Sequence, residues 1–263
     1  MANFYESLEF DLPVALTEQL VALFDEMPQG KLNAATIKRH VEPDAQGVYQ
    51  LFVDGELVYI GKTDAEAGLG RRLLRHATKV ASRKNLKPSA VTFKAVRVFV
   101  FTVMDLEQLL IKSYEDRAAT GTAASERRFL AWNHSGFGSN DPGRNRDGSQ
   151  VKSDHFDALY PIDLDYKIKI SHARKSVSVA EVLAELKSKL PYGFRFESTA
   201  PKKKTPHADL AASSVTLSND IDSVRNVLKQ IATALGPKWQ LTALPGYIIV
   251  YKEKVKYKHA MRL

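Results

Sequence analysis

A β-hairpin near residue 55 constrains the fold more than any other feature of the sequence. Two runs rich in β-branched and aromatic residues, GVYQLFV at 47–53 and ELVYIGKT at 56–63, flank an Asp-Gly pair at 54–55. An Asp-Gly pair between such runs is a strong signal for a tight turn. The first run begins with GVY at 47–49 and the second contains YIG at 59–61. The sequence therefore predicts two antiparallel strands that each carry a tyrosine.

The length of the turn decides where these two tyrosines lie. A two-residue loop pairs residues whose numbers sum to 109, which puts Tyr49 and Tyr59 on opposite faces of the hairpin. A three-residue loop, with Gly55 in the left-handed conformation of a bulge, changes the sum to 108 and puts the two side chains directly across from each other. The sequence leaves both open, and in this interpretation only the second makes a two-tyrosine site.

A Gly-rich loop after the hairpin leads into a helix with two side-chain stripes. The apolar stripe consists of Leu69, Leu73, Ala77 and Val80. The polar stripe, at i, i+4, i+7 and i+11, consists of Arg72, His76, Lys79 and Arg83. We expect the first stripe to pack on the sheet, and the second taken alone is typical of a solvated basic face.

Further along, a third strand and a second helix are predicted. Residues 90–104 contain a strand with partial alternation, and DLEQLLIKSYEDR at 105–117 reads as a helix with Glu107 in its first turn. A glutamate at that position commonly serves the helix dipole. After Asn133 comes the loop GFGSNDPGRNRDG at 136–148, which is dense in turn residues and charge. Loops of this length in compact domains are usually functional or disordered.

The chain divides into three predicted regions. Residues 1–45 read as a helical support, residues 46–170 as the main domain, and residues 171–263 as a small α+β accessory domain with a basic tail. The order of elements predicted in the last region is α-β-β-α-β-β. A capping box at 178–181 (SVAE) marks the start of its first helix.

Charge and composition narrow the function classes. The chain has 263 residues, no cysteine and a formal net charge of +8, so disulfides and thiolate zinc sites are excluded and a polyanionic partner is favoured. The sequence shows no secretory signal and no apolar run approaching the ~20 residues of a membrane helix. We therefore expect a cytoplasmic protein with no membrane partner.

Together, these motifs resemble those of the GIY-YIG nuclease superfamily. The matching residues are GVY at 47–49, YIGK at 59–62, Arg72, His76 four residues later, Glu107 at the start of a helix, and Asn133 beyond it. The resemblance is closest to the type II restriction endonuclease branch, in which YIGKTD leads to the helix and Trp-Asn precedes a GFG…DPG loop, as at 132–143. It covers about residues 10–170 and implies an α+β fold, a small antiparallel three-stranded sheet flanked by helices.

The resemblance also implies an activity and roles for its residues. The activity is phosphodiester hydrolysis with one divalent ion, Mg²⁺ or Mn²⁺, per active site. The catalytic residues implied are Tyr49, Tyr59, Lys62, Arg72, His76, Glu107 and Asn133, with Glu107 as the metal ligand.

In this scheme each residue has its own task. Tyr49 is the general base, Arg72 contacts the scissile phosphate and His76 relays a proton. A free tyrosine titrates near ~10, so we expect the phenolate of Tyr49 to be favoured by Lys62, His76 and the metal. Tyr59 contacts the phosphate or a water. Asn133 is expected to orient Glu107 or a DNA oxygen.

The implied partner is duplex DNA with a short target site, GC-rich and palindromic in some members of the branch. A palindrome requires a homodimer or sequential nicking by a monomer. A cognate DNA methyltransferase is expected in the same system, but not as a physical partner. The expected contacts to the DNA backbone are Arg71, Arg75, Lys79, Arg83, Arg144, Arg146 and Lys152.

Two other functions remain open from the sequence. One is a structure-specific or homing nuclease of the same superfamily, although the absence of cysteine argues against a zinc-binding RING partner domain. The other is a catalytically idle DNA-binding module. It would bind duplex DNA with a strong dependence on salt and leave it intact in any divalent metal.

Overall fold

The protein has a mixed α+β fold in a computed structural model that describes residues 11–64, 66–99, 105–120, 129–139, 141, 143–171, 173–200 and 205–263. The chain forms two compact units. One consists of the described residues of Met1–Ala77 and Lys87–His134, and the other of Thr78–Leu86 and Ser135–Leu263. No helix in these described ranges is long and apolar enough to cross a membrane.

The first unit contains a sheet with helices around it. Its elements are α1 (Leu12–Glu26), β1 (Gly30–Lys31), α2 (Ala34–His40), β2 (Gly47–Val53), β3 (Glu56–Thr63), the start of α3 (Leu69–Ala81), β4 (Val91–Arg97), α4 (Leu106–Thr120) and α5 (Ala131–His134). The sheet is antiparallel in the order β1-β4-β2-β3. The expected three strands are therefore joined by a fourth, β1, which is too short to produce an alternating pattern. The predicted continuation of the third strand over 100–104 lies outside the described residues.

Local sequence signals fix the first two helices. The Asp11 side chain accepts the N–H of Val14 at 3.1 Å and caps α1, and the Asn33 side chain accepts the N–H of Thr36 at 2.9 Å and caps α2. Phe24 of α1 is fully buried and packs in a core together with residues of β2, β3 and α4. Within the stretch 1–45, the described helices are thus part of the first unit.

The hairpin has the two-residue turn, together with a bulge that the sequence did not reveal. Asp54 and Gly55 have φ of 52° and 86°, as a type I′ turn requires. Pairing follows a sum of 109 at the tip but shifts between Leu51 and Phe52, after which Tyr49 pairs with Gly61. The shift of one residue returns the two tyrosines to one face as diagonal neighbours. The expectation that a two-residue turn would separate them is therefore wrong.

The second unit is built on two long helices and several short strands. Its elements are the end of α3, α6 (Phe156–Leu159), β5 (Lys167–Lys169), β6 (Ser176–Ser178), α7 (Val179–Lys189), β7 (Gly193–Phe196), β8 (Ser198–Ala200), β9 (Thr205–Pro206), α8 (Ala208–Ala212), β10 (Ser214–Thr216), β11 (Ile221–Ser223), α9 (Val224–Leu235), β12 (Gln240–Ala243), β13 (Tyr247–Tyr251) and β14 (Met261–Arg262). The main sheet has the order β14-β12-β13-β7, with β7 parallel to β13.

All six elements predicted after residue 170 are present, as α7, β7, β10, α9, β12 and β13. The capping box at the start of α7 is confirmed. The division between units nevertheless falls after His134, not after residue 170. Strand β5 pairs with β11, and its Ile168 is buried in the core of the second unit, so this strand belongs to the second unit although it precedes the predicted boundary.

Candidate active site

The hairpin places two phenols side by side because the residue between them is glycine. Tyr49 pairs with Gly61, and the rings of Tyr49 and Tyr59 lie with centroids 6.0 Å apart. A Cβ on Gly61 would lie 2.5 Å from the Tyr49 hydroxyl and 2.8 Å from the Tyr59 ring. A Cβ on Gly47, the first residue of the other motif, would collide with the carbonyl oxygen of Val96 in β4. Both motif glycines thus permit close approach, one of side chains and one of neighbouring strands.

Helix α3 adds an imidazole and a guanidinium to this face. The Tyr49 hydroxyl lies 2.7 Å from Nε2 of His76, and the His76 ring centroid is 5.5 Å from that of Tyr49 and 5.8 Å from that of Tyr59. Arg72, one turn earlier, is within hydrogen-bonding reach of both phenols. His76 is only 5% exposed, so the polar stripe is not a solvated face here. The apolar stripe is packed as expected, with Leu73 fully buried.

Burial keeps the phenols neutral. Desolvation raises the pKa of Tyr49 far above its ordinary value, the adjacent Tyr59 adds to the effect, and Arg72 only partly offsets it. The pKa of Tyr59 is also raised, by burial first and by the charge of Glu107 second. Lys62 pairs with Asp105 at 2.9 Å rather than with Tyr49. The expected stabilisation of a phenolate by neighbouring cations is therefore outweighed by burial in this arrangement.

Glu107 lies at the first turn of α4, beside the end of β3. Its Oε2 accepts the backbone N–H of Lys62 at 3.2 Å, which ties the helix to the strand. Burial raises the pKa of Glu107, with a further contribution from the charge of Asp105, whereas Lys62 and Arg72 act in the opposite direction. The helix dipole alone therefore does not account for a glutamate at this position, because the Glu107 carboxylate reaches the same region as the phenols and Arg72.

Asn133 supports the site through the main chain. Its Oδ1 accepts the N–H of Ile60 at 2.9 Å, and its Nδ2 donates to the carbonyl of Ile60 at 2.8 Å. Both polar atoms of the amide thus pair with the outer edge of β3, between Tyr59 and Gly61. This places Asn133 as a clamp on the strand that carries Tyr59, in contrast to the expected contact with Glu107 or a DNA oxygen.

The residues of this site suit a metal ion that takes most of its ligands from water and phosphate oxygens and few from the protein. No group of three or more acidic or histidine side chains that could hold a metal occurs in the described part of the chain. Glu107 supplies one carboxylate, of which only Oε2 has a hydrogen-bond partner within the described ranges. Mg²⁺ is commonly bound by one or two carboxylates together with water and phosphate oxygens. One carboxylate near the Arg72 guanidinium fits that pattern.

The seven expected DNA contacts lie in different environments. Arg75, Arg146 and Lys152 are exposed and form no ion pair among the described residues. Arg71 is exposed but pairs with Asp44. Arg75 and Arg71 belong to the first unit, and the others to the second.

The remaining three are engaged within the second unit. Arg144 is paired with two glutamates, at 2.8 and 3.4 Å. Lys79 donates to the carbonyl of Phe137, and its ammonium lies 4.6 Å from the centroid of that ring. The Arg83 side chain is 3% exposed and pairs with Asp157 at 2.9 Å. Arg83 therefore cannot reach a phosphate from this position, and the expectation of a solvent-facing cation there is wrong.

Asp105 is a residue of the site to which the sequence assigned no role. Its carboxylate caps α4 by accepting the N–H of Gln108 at 3.3 Å and holds the Lys62 ammonium. An aspartate as the first residue of a predicted helical stretch is a capping signal, but only the structure shows that it meets Lys62.

A scan against models of protein families and a search of curated proteins found no match to this chain.

Proposed function

We propose that the chain is a metal-dependent DNA endonuclease of the GIY-YIG type, acting as a type II restriction endonuclease on duplex DNA. The observation that carries the proposal is the gathering of Tyr49, Tyr59, Arg72, His76 and Glu107 on one face of a small antiparallel sheet. These side chains come from two strands and two helices that are separated by up to 58 positions in the sequence. Ordinary cross-strand packing does not require a guanidinium, an imidazole and a carboxylate at the same place.

A phosphate diester fits the charge of this face. Arg72 forms no ion pair with a carboxylate in the described ranges, and its buried Nε has no hydrogen-bond partner there. An anion placed against the accessible edge of the guanidinium would gain a charge-assisted hydrogen bond from a cation that has no carboxylate partner there. The phenol of Tyr59 supplies a further donor to the same oxygen atoms or to a water.

Proton transfer follows from the short contact between Tyr49 and His76. In the proposed relay the ring proton is on Nδ1, and Nε2 of His76 accepts the proton of the phenol while the phenol oxygen takes a proton from the attacking water. Because Tyr49 is fully buried, substrate binding has to bring that water to its hydroxyl. Such a relay needs no free phenolate and is consistent with the raised pKa of Tyr49. Glu107 would hold the divalent ion, which supplies neutralisation of the charge that develops on the phosphate and leaving oxygen.

Digestion of a sequenced plasmid in Mg²⁺ tests the proposal. Discrete fragments with mappable ends are expected, and Glu107→Ala should abolish cleavage while duplex binding is retained. Glu115→Ala, on the exposed side of the same helix where Glu115 contacts His134, is the matched control and should cut normally. Smearing, or no cleavage by the purified protein in Mg²⁺ or Mn²⁺, would contradict a restriction endonuclease.

The same preparation separates the alternatives. A structure-specific nuclease would cut a branched substrate in preference to a linear duplex. A catalytically idle module would bind duplex DNA and leave both substrates intact. A restriction endonuclease would cut the linear duplex at one sequence, and mapping the ends would identify the site.

A further inference from the structure

The segment that follows β13 carries a row of lysines on a fixed backbone. Lys252, Lys254, Lys256 and Lys258 are all exposed and occupy every second position. Between them, Glu253 and Tyr257 are turned partly inward. The segment has no regular secondary structure, so a helix or strand does not impose this arrangement.

Specific contacts hold the backbone of this segment. Gln240 Nε2 donates to the carbonyl of Val255 at 2.7 Å. The Tyr257 hydroxyl donates to Glu253, and its ring packs against a small apolar cluster that includes Ile249 and Tyr251. Strand β14 then pairs with β12 through Thr242 and Arg262. The lysines are thus presented by a segment anchored at both ends, which lowers the entropy lost when they bind a partner.

The charge of the row is largely uncompensated. Glu253, the acid within the row, accepts a hydrogen bond from Tyr257 and pairs with Arg144, so its charge is already matched outside the row. Lys252 pairs with Asp209 at 2.7 Å. Lys254, Lys256 and Lys258 have no carboxylate partner among the described residues. The positive charges of these three lysines therefore remain available to an anionic partner.

We propose that Lys254, Lys256 and Lys258 form a contact surface for the phosphate backbone of duplex DNA. This proposal rests on the proposed function, because the DNA is the substrate of the first unit. An ammonium group is a compact point charge without the planar fork that reads bases, so lysines in a row suit contacts that do not depend on sequence. The role of the segment is to add affinity for DNA of any sequence.

The salt dependence of binding measures the number of such contacts. Each phosphate contact contributes about 0.9 to the slope of log affinity against log salt concentration. The triple variant Lys254→Gln, Lys256→Gln, Lys258→Gln is made in the non-cleaving Glu107→Ala protein. It should therefore reduce the magnitude of the slope by about 2.7. A control triple, Lys167→Gln, Lys169→Gln, Lys175→Gln, removes the same charge from other exposed positions of the second unit and should leave the slope unchanged.

The experiment uses a labelled linear duplex, fluorescence anisotropy and salt between about 50 and 200 mM. A parent protein that binds duplex while the test variant keeps its slope overturns this proposal alone. An equal loss in both triples also overturns it, since the charge would then act diffusely. No duplex binding by the parent overturns the proposed function itself. Binding to phosphatidylserine vesicles that is lost in the test triple, with an unchanged duplex slope, would assign the lysines to a membrane surface instead.

Discussion

Two polar clusters in this protein use the same residue types in opposite ways. In the first unit, Arg72 lies between two phenols and has no carboxylate partner in the described ranges. In the second, Arg195 donates to the hydroxyl of Tyr251 at 3.3 Å and pairs with Asp147, which is 2% exposed. The charge of Arg195 is matched by carboxylates, whereas the charge of Arg72 is not and stays available to an anionic ligand. The partner of the arginine, rather than the residue type, thus separates a structural cluster from a candidate catalytic one.

Replacement of Arg72 should produce the largest effect, and on catalysis. Arg72→Ala removes the guanidinium that in the proposed mechanism contacts the scissile phosphate, so cleavage should fall about 10³-fold, equivalent to about 4 kcal/mol of transition-state stabilisation. Some loss of stability is also expected, because the substitution removes a hydrogen-bonding partner of both buried phenols. Cleavage rates under single-turnover conditions and urea unfolding of the same preparation measure both quantities. If the variant cleaves within about tenfold of the parent rate, Arg72 has no role in catalysis.

Replacement of Arg195 should affect stability. Arg195→Met leaves the buried carboxylate of Asp147 with the Tyr247 hydroxyl, 2.8 Å away, as its one side-chain partner among the described residues, so the free energy of unfolding should fall by about 3 kcal/mol. Arg225→Met is the matched control, because Arg225 pairs with the mostly exposed Asp165, and it should cost far less stability than Arg195→Met. Similar losses in the two variants would show that the network around Asp147 is no stronger than a surface pair.

The sequence predicted the features of this protein that depend on neighbouring residues, and it missed those that depend on tertiary packing. The hairpin, α3, α4 and the six main elements of the second unit follow from local periodicity and caps, which depend on neighbouring residues. The bulge between Leu51 and Phe52 depends on packing and leaves no local signal. The same holds for ion pairs: Arg144 and Arg83 are ordinary surface cations in the sequence, and only tertiary pairing with Glu197 and Asp157 reveals their structural role.

Gly61→Ala should have an intermediate effect, on both the stability and the activity of the first cluster. A methyl group at this position meets the Tyr49 hydroxyl at 2.5 Å, and both phenols must move. Overpacking of this kind costs about 2 kcal/mol of stability, and cleavage should fall because the contact between Tyr49 and His76 is displaced. Gly148→Ala is the control, since a methyl group there would have no neighbouring atom within 4 Å and its φ needs no glycine. Wild-type cleavage by Gly61→Ala would show that the spacing of the two phenols is not required.

Asp105→Asn should have the smallest effect and the most specific one. The pair with Lys62 is about half exposed, so its loss should cost less than about 1 kcal/mol of stability. Burial is the main cause of the raised pKa of Glu107, and the Asp105 charge adds to it, so removing that charge lowers the Glu107 pKa.

The direction of the pH effect follows from the form of Glu107 that is active. In the proposed mechanism Glu107 holds the divalent ion, and a carboxylate holds a cation only when ionised, so activity should be lost as the pH falls through the Glu107 pKa. In Asp105→Asn the acid limb of kcat/KM should therefore move to lower pH, and the Lys62 ammonium released from Asp105 acts in the same direction. Asp116→Asn, an exposed change on the same helix, should leave the limb in place. A limb that moves to higher pH would mean that Asp105 acts by positioning Lys62 against the reacting phosphate, and not through the charge that it imposes on Glu107.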